Sequence, residues 1–261
     1  MFPMQGGFIW YELMTPDPAA ATDFYSKVTG WTAKDSGMPG MSYTLFNVPG
    51  FEMGVAGMME LTPEFTARNI PPNWTGYVWV DDVDAKAKEF ADNGGAVHHQ
   101  PQDIPGIGRF AVVADPQGAV LSLFKPNMPD GPMPPAPAPG TQGTFGWHEL
   151  MAGNGEEAFA FYSKMFGWTK DMAVDMGDMG VYQCFAQDGT AIGGMMTKPA
   201  EVSAPFWGYY VNVDGIDAAM ERVKAGGGTV VFGPQEVPGG SFILQCMDPQ
   251  GAYFCLVSTK R

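Results

Sequence analysis

Two short strings in this chain set an indole two residues ahead of a carboxylate: Trp10-Tyr11-Glu12-Leu13-Met14 and Trp147-His148-Glu149-Leu150-Met151. Side chains alternate sides along an extended strand, so Trp10, Glu12 and Met14 share one face, as do Trp147, Glu149 and Met151. An indole beside a carboxylate can stack on a flat ring and attract a cation. A carboxylate among apolar groups also has its charged form disfavoured, which would raise its pKa and suit Glu12 and Glu149 to general acid or base work. The structural alternative for each glutamate is a pairing with Arg or Lys, or with backbone donors. Trp74 and Trp207, with Tyr77 and Tyr210 nearby, are expected at the mouth of the same aromatic cavity.

These strings belong to a long internal repeat. Phe24-Tyr25-Ser26-Lys27 followed by Gly30-Trp31-Thr32 returns as Phe161-Tyr162-Ser163-Lys164 followed by Gly167-Trp168-Thr169. Asp115-Pro116-Gln117-Gly118-Ala119 returns as Asp248-Pro249-Gln250-Gly251-Ala252. The expected organisation is a first domain over 1–125 (modules at about 7–60 and 74–125) and a second over 144–261 (modules at about 144–197 and 206–259). A Pro-rich segment over 126–143 reads as a semi-rigid linker between them. With 261 residues, each domain is long enough for its own core.

Within each repeat the same signals recur. Phe8 to Met14 alternates like a strand. Asp17 stands as N-cap and Pro18 as the first helical residue, Ala19 to Val28 carries one apolar stripe, and Gly30 stops the helix. Strand-like runs follow at Trp31 to Lys34, Ser42 to Val48 and Met53 to Met59. The second half repeats the order: a strand at Gly76 to Val80, a helix at Val83 to Asp92, then strands near Ala96 to Gln100, Arg109 to Ala114 and Val120 to Phe124. The pattern predicts four β-α-β-β-β modules, an α+β fold with curved mixed sheets around concave cups.

Composition narrows the function. The formal net charge is −14, from 28 acidic and 14 basic residues, which repels phosphate backbones and anionic lipid. No nucleic-acid partner and no membrane are expected, and no apolar run approaches a membrane span. Residues 1–7 carry no signal-peptide pattern, and the three cysteines (Cys184, Cys246, Cys255) all lie in the second repeat. A disulfide framework is not expected, and a reducing cytoplasm is. The 19 methionines suit core packing and an adaptable cavity.

The strand–Asp–helix opening with Phe24-Tyr25 and Gly30-Trp31, the run Val80-Asp81-Asp82-Val83-Asp84-Ala85 and the Asp115-Pro116-Gln117-Gly118 turn, in order and twice, resemble the vicinal oxygen chelate superfamily. That superfamily includes glyoxalase I, extradiol dioxygenases and bleomycin and fosfomycin resistance proteins. The Trp-x-Glu-Leu opening and the run from Ala114 to Ala119 further resemble an actinobacterial branch labelled hydroxylase or culture-filtrate antigen. The resemblance implies paired modules around a cup, with His, Glu or Gln at four positions holding a divalent ion.

Carried over by counting from local anchors, those positions fall in the first repeat on Trp10, Thr75, Ser122 and about Met58. In the second they fall on Trp147, Gly208, Cys255 and about Met195. None is a family ligand, so no metal site and no cofactor is expected. The chain has only three histidines. His98 and His99 are adjacent on a strand and point to opposite faces, and His148 alternates with Glu149. The first expectation is a metal-free protein whose cup, lined by Trp10, Trp147, Trp74, Trp207, Tyr77, Tyr210, Met58, Met195, Ser122 and Cys255, binds a small aromatic or heterocyclic molecule. The alternative is a metal-independent isomerase, lyase or hydroxylase-type enzyme using Glu12 and Glu149. A third reading is a metal enzyme with unusual ligands such as Glu12, Glu149 and His148. A small-molecule ligand is the expected partner, and the chain is expected to be a monomer or homodimer.

Overall fold

The computed structural model describes residues 5–38, 40–128, 131 and 135–261. Part of the expected linker, and Met1 to Met4 of the N-terminal reading, lie outside the described residues.

The first module runs β1 (Phe8–Thr15), α1 (Pro18–Thr29), β2 (Thr32–Asp35), β3 (Tyr43–Asn47) and β4 (Gly54–Glu60). A short helix, α2 (Pro63–Ala67), leads to β5 (Asn73–Trp79), α3 (Val83–Asp92), β6 (Ala96–Ile104), β7 (Gly108–Ala114) and β8 (Val120–Pro126). The second repeat gives β9 (Phe145–Ala152), α4 (Gly155–Phe166), β10 (Thr169–Asp175), β11 (Val181–Gln187) and β12 (Thr190–Thr197). It ends with β13 (Phe206–Asn212), α5 (Ile216–Ala225), β14 (Thr229–Val237), β15 (Ser241–Met247) and β16 (Tyr253–Ser258). The strands form two eight-stranded sheets of equivalent order, β2-β3-β4-β1-β5-β8-β7-β6 and β10-β11-β12-β9-β13-β16-β15-β14. Both sheets are mixed: β1 pairs β4 in parallel while β3 pairs β4 antiparallel. The fold is α+β with four βαβββ modules, as the repeat pattern predicts.

The local chemistry explains the helix positions. Asp17 caps α1 by accepting the Ala20 amide at 3.0 Å, Pro18 opens it, and Gly30 ends it at φ +84, where a side chain would be strained. Asn154 and Gly167 do the same for α4. Helix α2 has no counterpart in the expected elements; its five residues are too few for a readable apolar period.

The chain forms two compact units, and each draws on both repeats. One contains Met1–Ile9, Thr75–Pro132 and Trp147–Gly208; the other contains Trp10–Trp74, Met133–Gly146 and Tyr209–Arg261. In the second, the Trp74 indole donates to Tyr25 Oη at 2.8 Å, and the Tyr25 hydroxyl donates to Asp248 Oδ2 at 2.9 Å. Trp31 donates to the Gly143 carbonyl at 2.7 Å, and Phe24, Tyr25, Phe46 and Phe254 pack edge-on or tilted around this buried relay. The first unit resembles it: Trp207 donates to Tyr162 Oη at 3.3 Å, Tyr162 stands beside Asp115, and Trp168 donates to the Gly6 carbonyl at 2.8 Å. These buried indoles thus bring large apolar area while their N–H groups are hydrogen-bonded. Gly30-Trp31, Gly167-Trp168, Tyr25 and Tyr162 are core residues.

Candidate functional site

Strand register assigns the faces. Glu12 lies opposite Gly57 and Met14 opposite Met59, while Leu13 lies opposite Met58. Leu13 is fully buried and Met58 is 1% exposed, and Phe46 on the same side meets Tyr25 of α1. Trp10, Glu12, Met14, Tyr43, Gly57 and Met59 therefore stand on the face of the sheet away from α1. In the other unit Glu149 lies opposite Gly194 and Met151 opposite Met196, again away from α4.

On that face a hydrogen-bond chain is built twice. The Trp10 indole N–H donates to Tyr43 Oη at 3.0 Å, and the Tyr43 hydroxyl donates to Glu12 Oε2 at 2.9 Å. The Trp147 indole N–H donates to Tyr182 Oη at 2.8 Å, and the Tyr182 hydroxyl is bonded to Glu149. Burial, and then the neighbouring glutamate charge, push both phenols well above their ordinary range. Each tyrosine therefore stays a donor to its carboxylate at any physiological pH. A glycine makes the arrangement possible. A Cβ on Gly57 would lie 1.9 Å from Tyr43 Oη, and one on Gly194 would lie 2.1 Å from the Tyr182 ring. Trp10, Glu12 and Tyr43 are half-buried; Glu149 is buried, so the second copy is the tighter.

The expectations for Trp10, Glu12, Trp147 and Glu149 agree with this geometry: each pair shares a face and is joined by a tyrosine. Tyr43 and Tyr182 are absent from the sequence reading. Their signal is a repeated Tyr-x-x-Phe, Tyr43 to Phe46 and Tyr182 to Phe185. The lengths between strands differ in the two repeats, so this pair sits two residues out of step with the Trp–Glu strings.

Four expected positions need correction. Met58 and Met195 face the core, because Met58 pairs with Leu13 and Met195 with Leu150. A slip of one residue in the count exchanges faces, and Met59 and Met196 are the side chains beside the glutamates. Trp74 and Trp207 do not stand at a mouth either. They are 8% and 5% exposed and lie in the core, with their indole N–H groups bonded to Tyr25 and Tyr162. Tyr77 and Tyr210 lie on the opposite face from these indoles. Ser122 is the cross-strand partner of Tyr77, and Cys255 that of Tyr210. Buried Ser122 Oγ finds no hydrogen-bond partner among the described residues, whereas Tyr210 Oη accepts from Gln245 at 2.8 Å.

The donor set does not fit the divalent ion that the resemblance implies. At the carried-over positions stand two indole N–H donors already bonded to tyrosine, two hydroxyls, two thioethers facing the core, a buried thiol and a glycine. Among the described residues no group of three or more His, Cys, Asp or Glu side chains is placed to hold a metal. His148 does not join Glu149: it points into the core, stacks on Phe8 at 4.1 Å and bonds the Ile192 carbonyl through Nδ1 at 2.5 Å. Burial lowers its pKa to about 4. His99 stacks on Phe110 at 4.9 Å.

Comparison with known proteins is consistent with this fold. The family model described as Glyoxalase/Bleomycin resistance protein/Dioxygenase superfamily matches residues 7–123 and 144–256. "Putative glyoxylase CFP32" of Mycobacterium bovis is 31% identical over 256 residues, covering 97% of this chain and 95% of that protein. "Anthracycline biosynthesis protein DnrV" of Streptomyces peucetius is 31% identical over 268 residues, covering 98% of this chain and 94% of that protein. Among solved structures, the Mn(II)-bound glyoxalase from Novosphingobium aromaticivorans shares the fold, with a TM-score of 0.67 at 15% identity over 98% of this chain and 83% of that one. Among the described residues no helix is long and apolar enough to cross a membrane.

Proposed function

The chain belongs to the glyoxalase/bleomycin resistance protein/dioxygenase superfamily, and on that premise we propose that it binds a small organic molecule with a flat aromatic or heterocyclic ring, without a metal ion. The twice-built Trp–Tyr–Glu chain carries this reading. It offers indole surface for stacking and a few fixed polar groups for orientation, the usual make-up of a small-molecule site. Met14, Met59, Met151 and Met196 add soft, adaptable apolar walls beside each glutamate. The relative named for anthracycline biosynthesis supports a polycyclic aromatic ligand class.

Calorimetric titration with a panel of flat ring compounds, an anthraquinone among them, tests the reading. Saturable binding that survives a chelator and is lost in Trp10→Ala/Trp147→Ala supports it. Failure of every flat compound to bind, or binding abolished by the chelator, overturns it.

The Tyr43–Glu12 bond favours a second use of the same residues, with Glu12 and Glu149 transferring protons on the bound molecule as an isomerase, lyase or hydroxylase-type enzyme would require. A tyrosine donor fixes the carboxylate rotamer, the positioning that general acid–base work demands. Under that reading Glu12→Gln and Glu149→Gln keep ligand affinity and lose conversion of the ligand, read by mass spectrometry.

A further inference from the structure

We propose that the β10–β11 hairpin forms the outer wall of the second Trp–Tyr–Glu site, with Met172, Met176 and Met179 packing on a flat ligand of three or more fused rings. This rests on the binding reading above and adds the ligand's length and its second contact surface. Of the ten large apolar side chains that stand exposed among the described residues, Met41, Met172, Met176, Met179 and Val181 belong to the β2–β3 and β10–β11 hairpins, the ones that carry Tyr43 and Tyr182. Clustered exposed apolar groups mark contact surfaces, and thioethers adapt to the rings they meet. Strand register ties the methionines to the site. β10 shifts register between Lys170 and Ala173, so Asp171 and Met172 both stand opposite Cys184. Cys184 pairs with Gly194, and Gly194 with Glu149. Met172 therefore stands in the cross-strand row of the glutamate, and Val174 pairs with Tyr182, whose hydroxyl is bonded to that glutamate. β10 lies three strands from β9, so this row spans about 14 Å. A single ring stacked on Trp147 stops short of Met172, whereas three fused rings reach it. The hairpin is also built to hold its shape. Asp175 Oδ1 accepts the Gly177 amide at 2.9 Å, and the Met176 amide donates to the Gly180 carbonyl at 2.8 Å. An ordered turn thus presents pliable side chains. The first repeat carries the same elements: Asp35 Oδ1 accepts the Gly37 amide at 2.7 Å, and Met38 and Met41 follow before Tyr43.

Oxidation by hydrogen peroxide, read by peptide mass spectrometry, tests this with acridone and 4-pyridone, which carry the same ring carbonyl and N–H on three rings and on one. Saturating acridone should slow oxidation of Met172, Met176 and Met179 several-fold and leave Met128, exposed outside both hairpins, at its free rate. Affinities are read by calorimetry in Trp10→Ala protein, where only the second site is left to bind. There acridone should bind tighter than 4-pyridone. Adding Met172→Gln/Met176→Gln/Met179→Gln should weaken acridone about tenfold, the worth of burying one thioether side chain, whereas Met128→Gln should leave it unchanged. Acridone that binds while the three methionines oxidise at their free rates, or that binds no tighter than 4-pyridone, would overturn the hairpin wall and leave the binding reading standing. Oxidation that slows with protein concentration in the absence of ligand would assign the hairpin to contact between copies, and the proposal would fall. Failure of every flat compound of the wider panel would remove both readings.

Discussion

At the scale of single residues, the chain joins two kinds of buried polar group that respond differently to change. Tyr43 and Tyr182 each bridge an indole donor and a carboxylate acceptor. Hydrogen bonds to charged groups contribute about 1.5–3 kcal/mol. Tyr43→Phe should therefore lower unfolding free energy by about 1–2 kcal/mol, since part of the gain is recovered by water at this half-buried place. A urea titration checks it, and an unchanged midpoint would show that the phenol is not coupled to Glu12. His148 behaves in the opposite sense to a paired histidine. Its folded pKa of about 4 lies below the ordinary value of 6.5, so the unfolded chain takes up the proton first. Stability from this group is complete above about pH 6.5 and drains as pH falls toward 4, at no more than about 1.4 kcal/mol per pH unit. His148→Phe keeps a ring against Phe8 and removes the titration. Between pH 7 and pH 5 the natural protein should lose roughly 2 kcal/mol more stability than this variant. Equal losses would mean that the imidazole takes up its proton in the fold as readily as in the unfolded chain.

At the scale of elements, the glycines of the fourth strand in the first module of each repeat decide whether the site can form. Gly57 and Gly194 leave room for a phenol to cross the strand and reach a glutamate. Gly57→Ala should swing Tyr43 out of place, cost about 1–3 kcal/mol as overpacked sites do, and weaken ligand binding. In a Tyr43→Ala background the same substitution should be nearly neutral, because the clash has lost its partner. A double-mutant cycle in urea reads this directly, and additive effects would sink the steric account. Much of this level was legible beforehand: Asp17-Pro18, Gly30 and the alternating runs placed helices and strands to within a few residues. The faces were less legible. β3 and β4 shift register between Phe46 and Asn47, and counting residues cannot see such a shift, so Met58 was assigned to the wrong side. Trp74 and Tyr77 are an odd number of positions apart and so must face opposite ways, yet both are aromatic and composition alone joins them. Tyr43 escaped notice because its copy is displaced by the longer hairpin of the second repeat.

At the scale of the whole chain, sequence repeats and compact units do not coincide, and this changes what each repeat can do alone. The repeat comparison divides the chain at the linker, but every buried relay joins the two sides of that division. Tyr25 of the first repeat bonds Asp248 of the second, and Tyr162 of the second stands beside Asp115 of the first. Arg222 of α5 donates to the Val28 carbonyl at the end of α1, and Lys86 of α3 to the Met165 carbonyl near the end of α4. Burial raises the carboxyls of Asp115 and Asp248, backbone amides hold each one, and Tyr25 also donates to Asp248. A repeat separated from its twin would expose Phe24, Tyr25 and Trp74, or Phe161, Tyr162 and Trp207, and leave a carboxylate without its phenol. A segment of about 120 residues could bury enough apolar surface to fold in principle, but here that surface is divided between two units. Residues 1–125 expressed alone should therefore give no folded monomer, only an unfolded chain or a dimer in which Tyr25 of one copy meets Asp115 of the other in place of Asp248. Sedimentation with circular dichroism distinguishes these outcomes from the contrary one. A monomeric 1–125 that melts cooperatively would mean that the halves of each compact unit are held by far less than the buried relays imply.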